Sequence, residues 1–458
     1  MQTLHGDSMQ RLFGTFGVRG ISNVDLMPKL AFELGLALAT HLRGRGEVAV
    51  GRDNRTSSEM LENAITAGLT SGGCNVVLIG LAPTPVLSFA IKHFRCAAGV
   101  MITASHNPPQ YNGVKFWSSD GAGMNREQEV KIEKIIYKKA WKRASWCRIG
   151  RVSRSDAITP YMEAILGKVP RVGRKLKVVV DCANAAGSVV TPRLLTELGC
   201  QVISMNCQLD GTFPGRVPEP SPQNLVELMK TVVACRADFG IAHDGDADRT
   251  LIVDERGQLL TGDRVFALVA LHHLRNKKRP KVVTTVATSM VLDDVAEKLG
   301  GKVVRLRVGE PVVAEYIRKY GGDIGGEENG GVICPDWLPC RDGIMTAVEI
   351  VELLDGSGMK VSDLDAKLPK YFQFKQKVEC PEKSKSKVAA AVAKQFKGYK
   401  IDRTDGLRVI TEDGWLLLRA SGTEPIFRCF AEARDEKRAG ELASRGMREL
   451  RACIRKLS

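Results

Sequence analysis

Apolar runs and amphipathic stretches alternate along this chain, and the alternation restarts twice. Leu26, Leu30, Leu34, Leu38 and Leu42 recur every four residues and predict one apolar helix stripe. A strand at 47–50, a helix from about Ser57, a strand at 75–79 and a helix after Pro85 follow. The apolar run 97–102 then predicts a buried strand. Such a βαβαβ order gives a mostly parallel sheet. The pattern restarts at Lys177–Asp181, with a helix over Thr191–Leu198 and strands at Gln201–Met205 and 238–242. It restarts again with a helix from Gly262, a strand at 281–286, a helix over 290–299 and a strand at Lys302–Leu306. Helices after Val312 and from Gly343 continue it. Three α/β units of similar size imply an internal threefold repeat.

The last stretch breaks this rhythm. Residues 371–379 alternate like a half-exposed strand and 388–396 read as a helix. Leu407–Ile410, 415–419 and 427–432 read as antiparallel strands before a basic helix from Glu436. The expected fold class is α/β: three similar α/β domains with mixed, mostly parallel sheets, plus a C-terminal α+β domain. The expected domains are 1–155, 156–257, 258–368 and 369–458, with the Lys/Pro-rich stretch 360–370 as linker.

A length of 458 residues exceeds one ordinary core, which agrees with several domains. The net charge of +15 fits either nucleic acid or an anionic substrate. Its excess lies in runs at 131–154, 277–281 and 383–400, which read as solvated helix faces and turns. With no nucleic-acid motif and 6% aromatics, small phosphorylated ligands are the expected partners and nucleic acid is not. No apolar stretch is long enough to cross a bilayer, so no membrane partner is expected. The first seven residues lack a signal pattern and read as a disordered lead-in or vector remnant, which points to the cytoplasm. The 12 cysteines form no Cys-x-x-Cys. Cys74, Cys182, Cys200 and Cys429 sit in apolar surroundings and read as buried thiols, although Cys334 and Cys340 are close enough in sequence to pair.

Four polar loops carry the chemistry. Thr103-Ala104-Ser105-His106-Asn107-Pro108 leaves the carboxyl end of a predicted strand, where ligands of open α/β sheets bind. Ser105 beside His106 reads either as an activated nucleophile or as ordinary loop. In Asp244-Gly245-Asp246-Ala247-Asp248-Arg249, carboxylates at alternate positions converge only around positive charge. A hard divalent cation supplies it, and Mg²⁺ is usual beside phosphate. Gly245 is expected to give the tight bend. The alternatives are a surface acidic turn or an EF-hand loop, and the latter fails because the flanks read as strands, not helices. In Gly325-Gly326-Glu327-Glu328-Asn329-Gly330-Gly331, Glu327 and Asn329 offer partners for sugar hydroxyls, or the segment is a tight turn. Arg419-Ala420-Ser421-Gly422-Thr423-Glu424-Pro425 joins an arginine fork, two hydroxyls and exposed backbone N–H groups into an anion cradle, or forms a plain hairpin turn. The glycine-rich segment 14–20 contains Arg19, a candidate phosphate clamp. Lys115 reads as a general acid/base or as a surface lysine.

TASHNP, DGDADR, GEENGG and RASGTEP occur in this order along nearly the whole chain. Together they resemble the α-D-phosphohexomutase superfamily, which includes phosphoglucomutases, phosphomannomutases and phosphoglucosamine mutases. The resemblance implies four domains around a central cleft and a phosphoserine at Ser105. That serine would pass its phosphoryl group to a hexose monophosphate and recover the other one from the bisphosphorylated sugar. Asp244, Asp246 and Asp248, with a phosphoserine oxygen of Ser105, would hold one Mg²⁺. Arg249 and Arg19 would steady the transferring group, with His106 and Lys115 as acid/base candidates. Glu327 and Asn329 would grip sugar hydroxyls. Arg419, Ser421, Gly422 and Thr423 would hold the other phosphate, assisted by Arg428. Hexose 1,6-bisphosphate would act as activator. Two departures bear on sugar preference: Gly331 stands where members often have histidine, and Glu310 where they commonly have aspartate or histidine. GEENGG with SGTEP looks most like archaeal phosphoglucosamine mutases or mixed phosphomannomutase/phosphoglucomutases, and glucosamine phosphate is the expected substrate. Hexose enzymes of the same mechanism are the alternative, and a metal-dependent sugar phosphatase is the other class. Monomer and homo-oligomer both remain open.

Overall fold

The computed structural model describes residues 11–457 apart from 15 and 423. Residues 1–7, Thr15 of the glycine-rich segment and Thr423 of the fourth loop lie outside the described residues. Four sheets organise the rest. The first holds β1 (Val18–Ile21), β2 (Glu47–Arg52), β3 (Asn75–Leu81), β4 (Ala98–Ile102), β5 (Tyr111–Ser118) and β6 (Val152–Arg154), in the order β1-β5-β4-β2-β3-β6. The second holds β7 (Lys177–Asp181), β8 (Gln201–Met205), β9 (Phe239–His243) and β10 (Thr250–Asp254), ordered β10-β9-β7-β8. The third holds β11 (Lys281–Thr285), β12 (Lys302–Leu306), β13 (Ile324–Gly326) and β14 (Val332–Ile333), ordered β12-β11-β13-β14. The fourth is wholly antiparallel: β15 (Phe372–Glu379), β16 (Lys400–Asp402), β17 (Leu407–Ile410), β18 (Gly414–Ala420) and β19 (Ile426–Ala433), ordered β15-β19-β18-β17-β16.

The first three sheets share one core topology. A central strand (β2, β7 or β11) pairs in parallel with the next strand in sequence and with the one after it. The following strand then folds back antiparallel onto that third one. The reversal is therefore at the same place in all three units, at the carboxyl end of the parallel strands. Its turns are 103–110, 244–249 and 327–331, so three of the four chemical loops occupy equivalent positions in a repeated fold. Helices cover both faces of these sheets, which is why β4 and β9 are buried along their whole length.

Some boundaries differ from the sequence reading. The helix expected after Val312 begins at Glu310, because Pro311 suits the first turn, where its missing N–H costs nothing. The expected linker contains the helix Val361–Ala366, whose Val361 and Leu364 are buried in the main core. All 12 cysteines are free, Cys334 and Cys340 included. Between the third and fourth sheets, Trp415 and Leu417 pack on Val286 and Ala287, which brings the fourth loop up to the third unit. Among the described residues no helix is long and apolar enough to cross a membrane.

Candidate active site

Ser105 lies at the base of the β4–β5 turn, almost fully buried, with a left-handed backbone (φ 53°) that non-glycine residues rarely adopt. The surrounding structure enforces this conformation. The Ser105 N–H donates to Thr103 Oγ1 at 2.9 Å. Arg55, just beyond the carboxyl end of β2, spends both terminal nitrogens on carbonyls of the loop and the start of β5. Its Nη2 donates to Ser105 O (2.8 Å) and Asn107 O (2.7 Å), and its Nη1 to Pro108 O (2.6 Å) and Tyr111 O (2.9 Å). Asp53 fixes Arg55 in turn through Nε at 3.0 Å. No motif marked Arg55; only its place at a strand's carboxyl end hinted at it.

The metal-loop candidate presses against this serine loop backbone to backbone. A Cβ added at Gly245 would lie 2.3 Å from Ser105 O, so glycine serves close approach there. The left-handed residue of the bend is Ala247 (φ 53°), which corrects the role expected of Gly245. Ser105 Oγ donates to Asp244 Oδ2 at 2.7 Å. Asp246 Oδ2 accepts from Lys115 Nζ (2.8 Å) and Thr84 Oγ1 (2.7 Å). Asp248 Oδ2 accepts from Arg341 Nη2 at 2.5 Å.

Asp244, Asp246 and Asp248 are all wholly buried, and one ligand oxygen of each lies within 4.8 Å of the others. Asp246 Oδ1 and Asp248 Oδ1 have no hydrogen-bond partner. Leaving such buried acceptors unpaired costs about 1–3 kcal/mol each, and more when charged. Burial, together with the charges of Asp248 and Asp246, pushes the Asp244 carboxyl well above its ordinary range. Burial acts the same way on Asp246, but the charge and hydrogen bond of Lys115 outweigh it and hold that carboxyl low. Clustered, buried and partly orphaned acids of this kind fit a hard divalent cation.

The remaining candidates fall into two groups. Lys115 lies on β5, wholly buried, so the surface-lysine reading is excluded. Gly17 (φ 84°) leaves room for it, since a Cβ there would meet Lys115 Cγ at 2.8 Å. Arg249 Nη2 donates to His106 Nδ1 at 3.0 Å, and Arg19 Nη1 donates to Asn107 Oδ1 at 2.8 Å. Glu219, absent from the sequence reading, ion-pairs with Arg249 Nη1 at 3.6 Å and lies 3.6 Å from His106 Nε2. Burial, then the charge of Arg249, lowers the His106 pKa well below 6.5 and keeps the imidazole neutral.

Glu327 is buried, with Oε1 accepting from Gly309 N (3.0 Å) and Oε2 from Arg341 Nη1 (2.9 Å). Asn329 Oδ1 takes Gly331 N at 3.1 Å, which shapes the turn. In the fourth loop Arg419 Nε donates to Asp405 Oδ2 at 2.7 Å and Arg428 Nη2 to Glu424 Oε2 at 2.8 Å. Lys385, another residue without a motif, donates to Ser421 O (2.6 Å) and Glu424 O (2.7 Å), and Ser421 Oγ accepts from Glu424 N. Gly422 has no atom within 4 Å of a built Cβ, leaving open space above the loop. Arg419, Arg428 and Glu328 line one small cavity between the third and fourth units. The first three loops thus meet around Ser105 and the aspartates, while the fourth presents its arginines at the far side of Glu328.

Known proteins resemble this chain over nearly its whole length. Four family models match in order: phosphoglucomutase/phosphomannomutase alpha/beta/alpha domain I over residues 10–143, domain II over 159–257, domain III over 261–372, and the C-terminal domain over 376–448. A phosphoglucomutase/phosphomannomutase of Thermococcus kodakarensis is 48% identical, covering 98% of this chain and 100% of that protein. A probable phosphoglucosamine mutase of Methanopyrus kandleri is 46% identical, covering 97% and 99%. The crystal structure of a phosphoglucomutase/phosphomannomutase family protein from Burkholderia thailandensis superposes with a TM-score of 0.88 at 28% identity, covering 96% of this chain and 97% of that one.

Proposed function

The chain belongs to the phosphoglucomutase/phosphomannomutase family and is a phosphosugar mutase, an isomerase; from that premise we propose a reaction through a phosphoserine at Ser105. The observation that carries this reading is the 2.7 Å bond from Ser105 Oγ to Asp244 Oδ2, which ties the serine to the acidic cluster. Phosphoryl transfer needs positioning and charge neutralisation above all. Mg²⁺ held by Asp244, Asp246 and Asp248 would supply neutralisation beside the serine oxygen.

The chain's own groups do the rest. Transfer breaks the bond from phosphorus to Ser105 Oγ and forms one from phosphorus to a sugar hydroxyl oxygen. The hydroxyl proton goes to a base, and the neutral His106 has capacity for it at Nδ1 once the Arg249 hydrogen bond there is given up. Lys115, paired with Asp246, and Arg249 and Arg19 bring positive charge toward the transferring group. Glu327 and Asn329 face the sugar ring. Arg419, Ser421, Gly422, Thr423 and Arg428 hold the phosphate that is not reacting. The bisphosphorylated sugar then turns over, and its other phosphoryl group returns to Ser105. Added hexose 1,6-bisphosphate primes the enzyme by phosphorylating the same serine.

We propose glucosamine 6-phosphate and 1-phosphate as the physiological pair, supported by the GEENGG and SGTEP motifs and by the name of the Methanopyrus relative. The name of the Thermococcus relative favours glucose and mannose phosphates by the same mechanism. Comparing kcat/KM for glucosamine, glucose and mannose phosphates decides between them. A preference of about tenfold or more for the glucosamine pair supports the first, since one hydrogen-bonded group carries at least that much discrimination. The expected reaction partner is a small phosphosugar.

A further inference from the structure

Arg341 follows no motif, yet it joins three segments of the site. Its guanidinium is buried and meets three carboxylates from three segments: Asp248 Oδ2 through Nη2 at 2.5 Å, Glu327 Oε2 through Nη1 at 2.9 Å, and Glu310 Oε2 beside Nε at 3.1 Å. Its backbone stands on a rigid base. The next residue, Asp342, caps the helix Gly343–Ser357 by accepting from Ile344 N and Met345 N. Asp342 also accepts from Tyr161 OH (2.8 Å) and Trp337 Nε1 (2.9 Å). The start of that helix abuts the metal loop, since a Cβ at Gly343 would lie 2.4 Å from Arg249 O.

Gly331 and Arg341 form a matched pair. A Cβ built at Gly331 would lie 2.2 Å from Arg341 Cδ, so a larger residue at 331 and this arginine cannot coexist in this arrangement. A side chain held by three acids does not swing aside cheaply. The departure from histidine at position 331 is thereby explained: glycine makes room for the guanidinium. Two of the three carboxylates, Asp248 and Glu327, each keep a second oxygen that the guanidinium does not touch. Asp248 Oδ1 is one of the orphaned acceptors of the acidic cluster, and Glu327 Oε1 is fixed by Gly309 N.

We propose that Arg341 is a positioning residue that holds the ion-binding carboxylate Asp248 and the sugar-facing carboxylate Glu327 in one frame, so that cation and phosphosugar bind cooperatively. For the part played by Glu327 it rests on the mutase reading above. A planar two-pronged guanidinium can span both acids, whereas a lysine ammonium brings equal charge but not the fork.

The test measures Mn²⁺ affinity by electron paramagnetic resonance, with and without saturating glucosamine 6-phosphate, in the full-length enzyme. The wild type, Arg341→Lys and Gly331→Ala are compared, with thermal unfolding as a check on folding. Gly331→Ala keeps every charge and displaces only the arginine, so it carries the test if the lysine variant does not fold. The wild type should bind Mn²⁺ at least about fivefold tighter with the sugar phosphate present, the lower end of ordinary coupling between sites. In the folded variants that ratio should fall to within about twofold. A wild-type ratio preserved in Arg341→Lys or Gly331→Ala overturns the proposal, as does a wild type without coupling. Mutase turnover of the wild type is assayed separately. Coupling without turnover sinks the mutase reading and leaves the bridging role standing.

Discussion

Ser105 donates its hydroxyl hydrogen bond to Asp244, at 2.7 Å, and not to His106, whose Nδ1 lies 3.3 Å away. Arg249 Nη2 explains the choice. A guanidinium has only donors, so at 3.0 Å it makes Nδ1 an acceptor and leaves the histidine proton on Nε2. The serine's partner is therefore a carboxylate of the acidic cluster, and the Ser-His adjacency in the sequence is not a hydrolase pair.

A cation should stabilise the fold as well as the reaction. Saturating Mg²⁺ at about 100 times its Kd adds about 2.7 kcal/mol to a protein that binds it only when folded. Differential scanning calorimetry should show Tm rising with Mg²⁺ in the wild type. The rise should be much smaller in Asp244→Asn, and chelation should abolish mutase turnover in the wild type.

The pH profile should carry the mark of His106. Burial and the Arg249 charge lower its pKa, so the neutral base persists as the pH falls past 6.5. The acid limb of kcat/KM should lie below pH 6.5. Arg249→Met removes a neighbouring positive charge and should move that limb upward, while His106→Gln should eliminate it. Initial rates across the range, at fixed ionic strength, check this.

Much of this architecture was legible in the pattern of apolar positions. Thr191–Leu198, Gln201–Met205 and Lys302–Leu306 run where the pattern puts them: the helix buries Leu194, Leu195 and Leu198, and the half-buried strands lay Val202 and Val303 against the main core. β13 and β14 escaped because three and two residues, two of them glycine, give no period to detect. The loops marked candidate residues for the chemistry but not what holds them. Arg55, Glu219, Arg341 and Lys385 are single charged residues whose partners lie far along the chain, 93 positions away for Arg341 and Asp248. Only the packed fold brings such pairs together. Burial likewise decided what composition left open, in placing Lys115 inside and in keeping Cys334 and Cys340 as thiols.

Asp405 should govern the grip on the distal phosphate. Its Oδ2 takes both Arg419 Nε (2.7 Å) and Val308 N (3.0 Å), so it fixes the cradle arginine and docks the fourth unit on the third. Asp405→Ala should raise KM for the sugar phosphate about tenfold while kcat changes less, the pattern of lost ground-state binding. Steady-state kinetics with saturating Mg²⁺ reads the split.

Stability should depend on pH through a second histidine. Burial opposes charge on His273, but hydrogen bonds to Asp336, Cys334 and Glu349 outweigh it and push its pKa up to about 12. The folded state thus holds a proton that the unfolded chain releases near pH 6.5. The stabilisation is fully present below pH 6.5 and falls as the pH rises toward the folded pKa, by at most about 1.4 kcal/mol per unit. Urea unfolding should show His273→Gln costing more stability at pH 6 than at pH 9.

Phosphorylated enzyme mixed with one equivalent of glucosamine 6-phosphate tests the central claim most directly, with intact mass and phosphorus NMR followed together. The account predicts that the protein loses one phosphoryl group while an equal amount of sugar bisphosphate appears, and that Ser105→Ala never carries that group. Inorganic phosphate released in place of the bisphosphate would contradict it and make the serine the centre of a phosphatase.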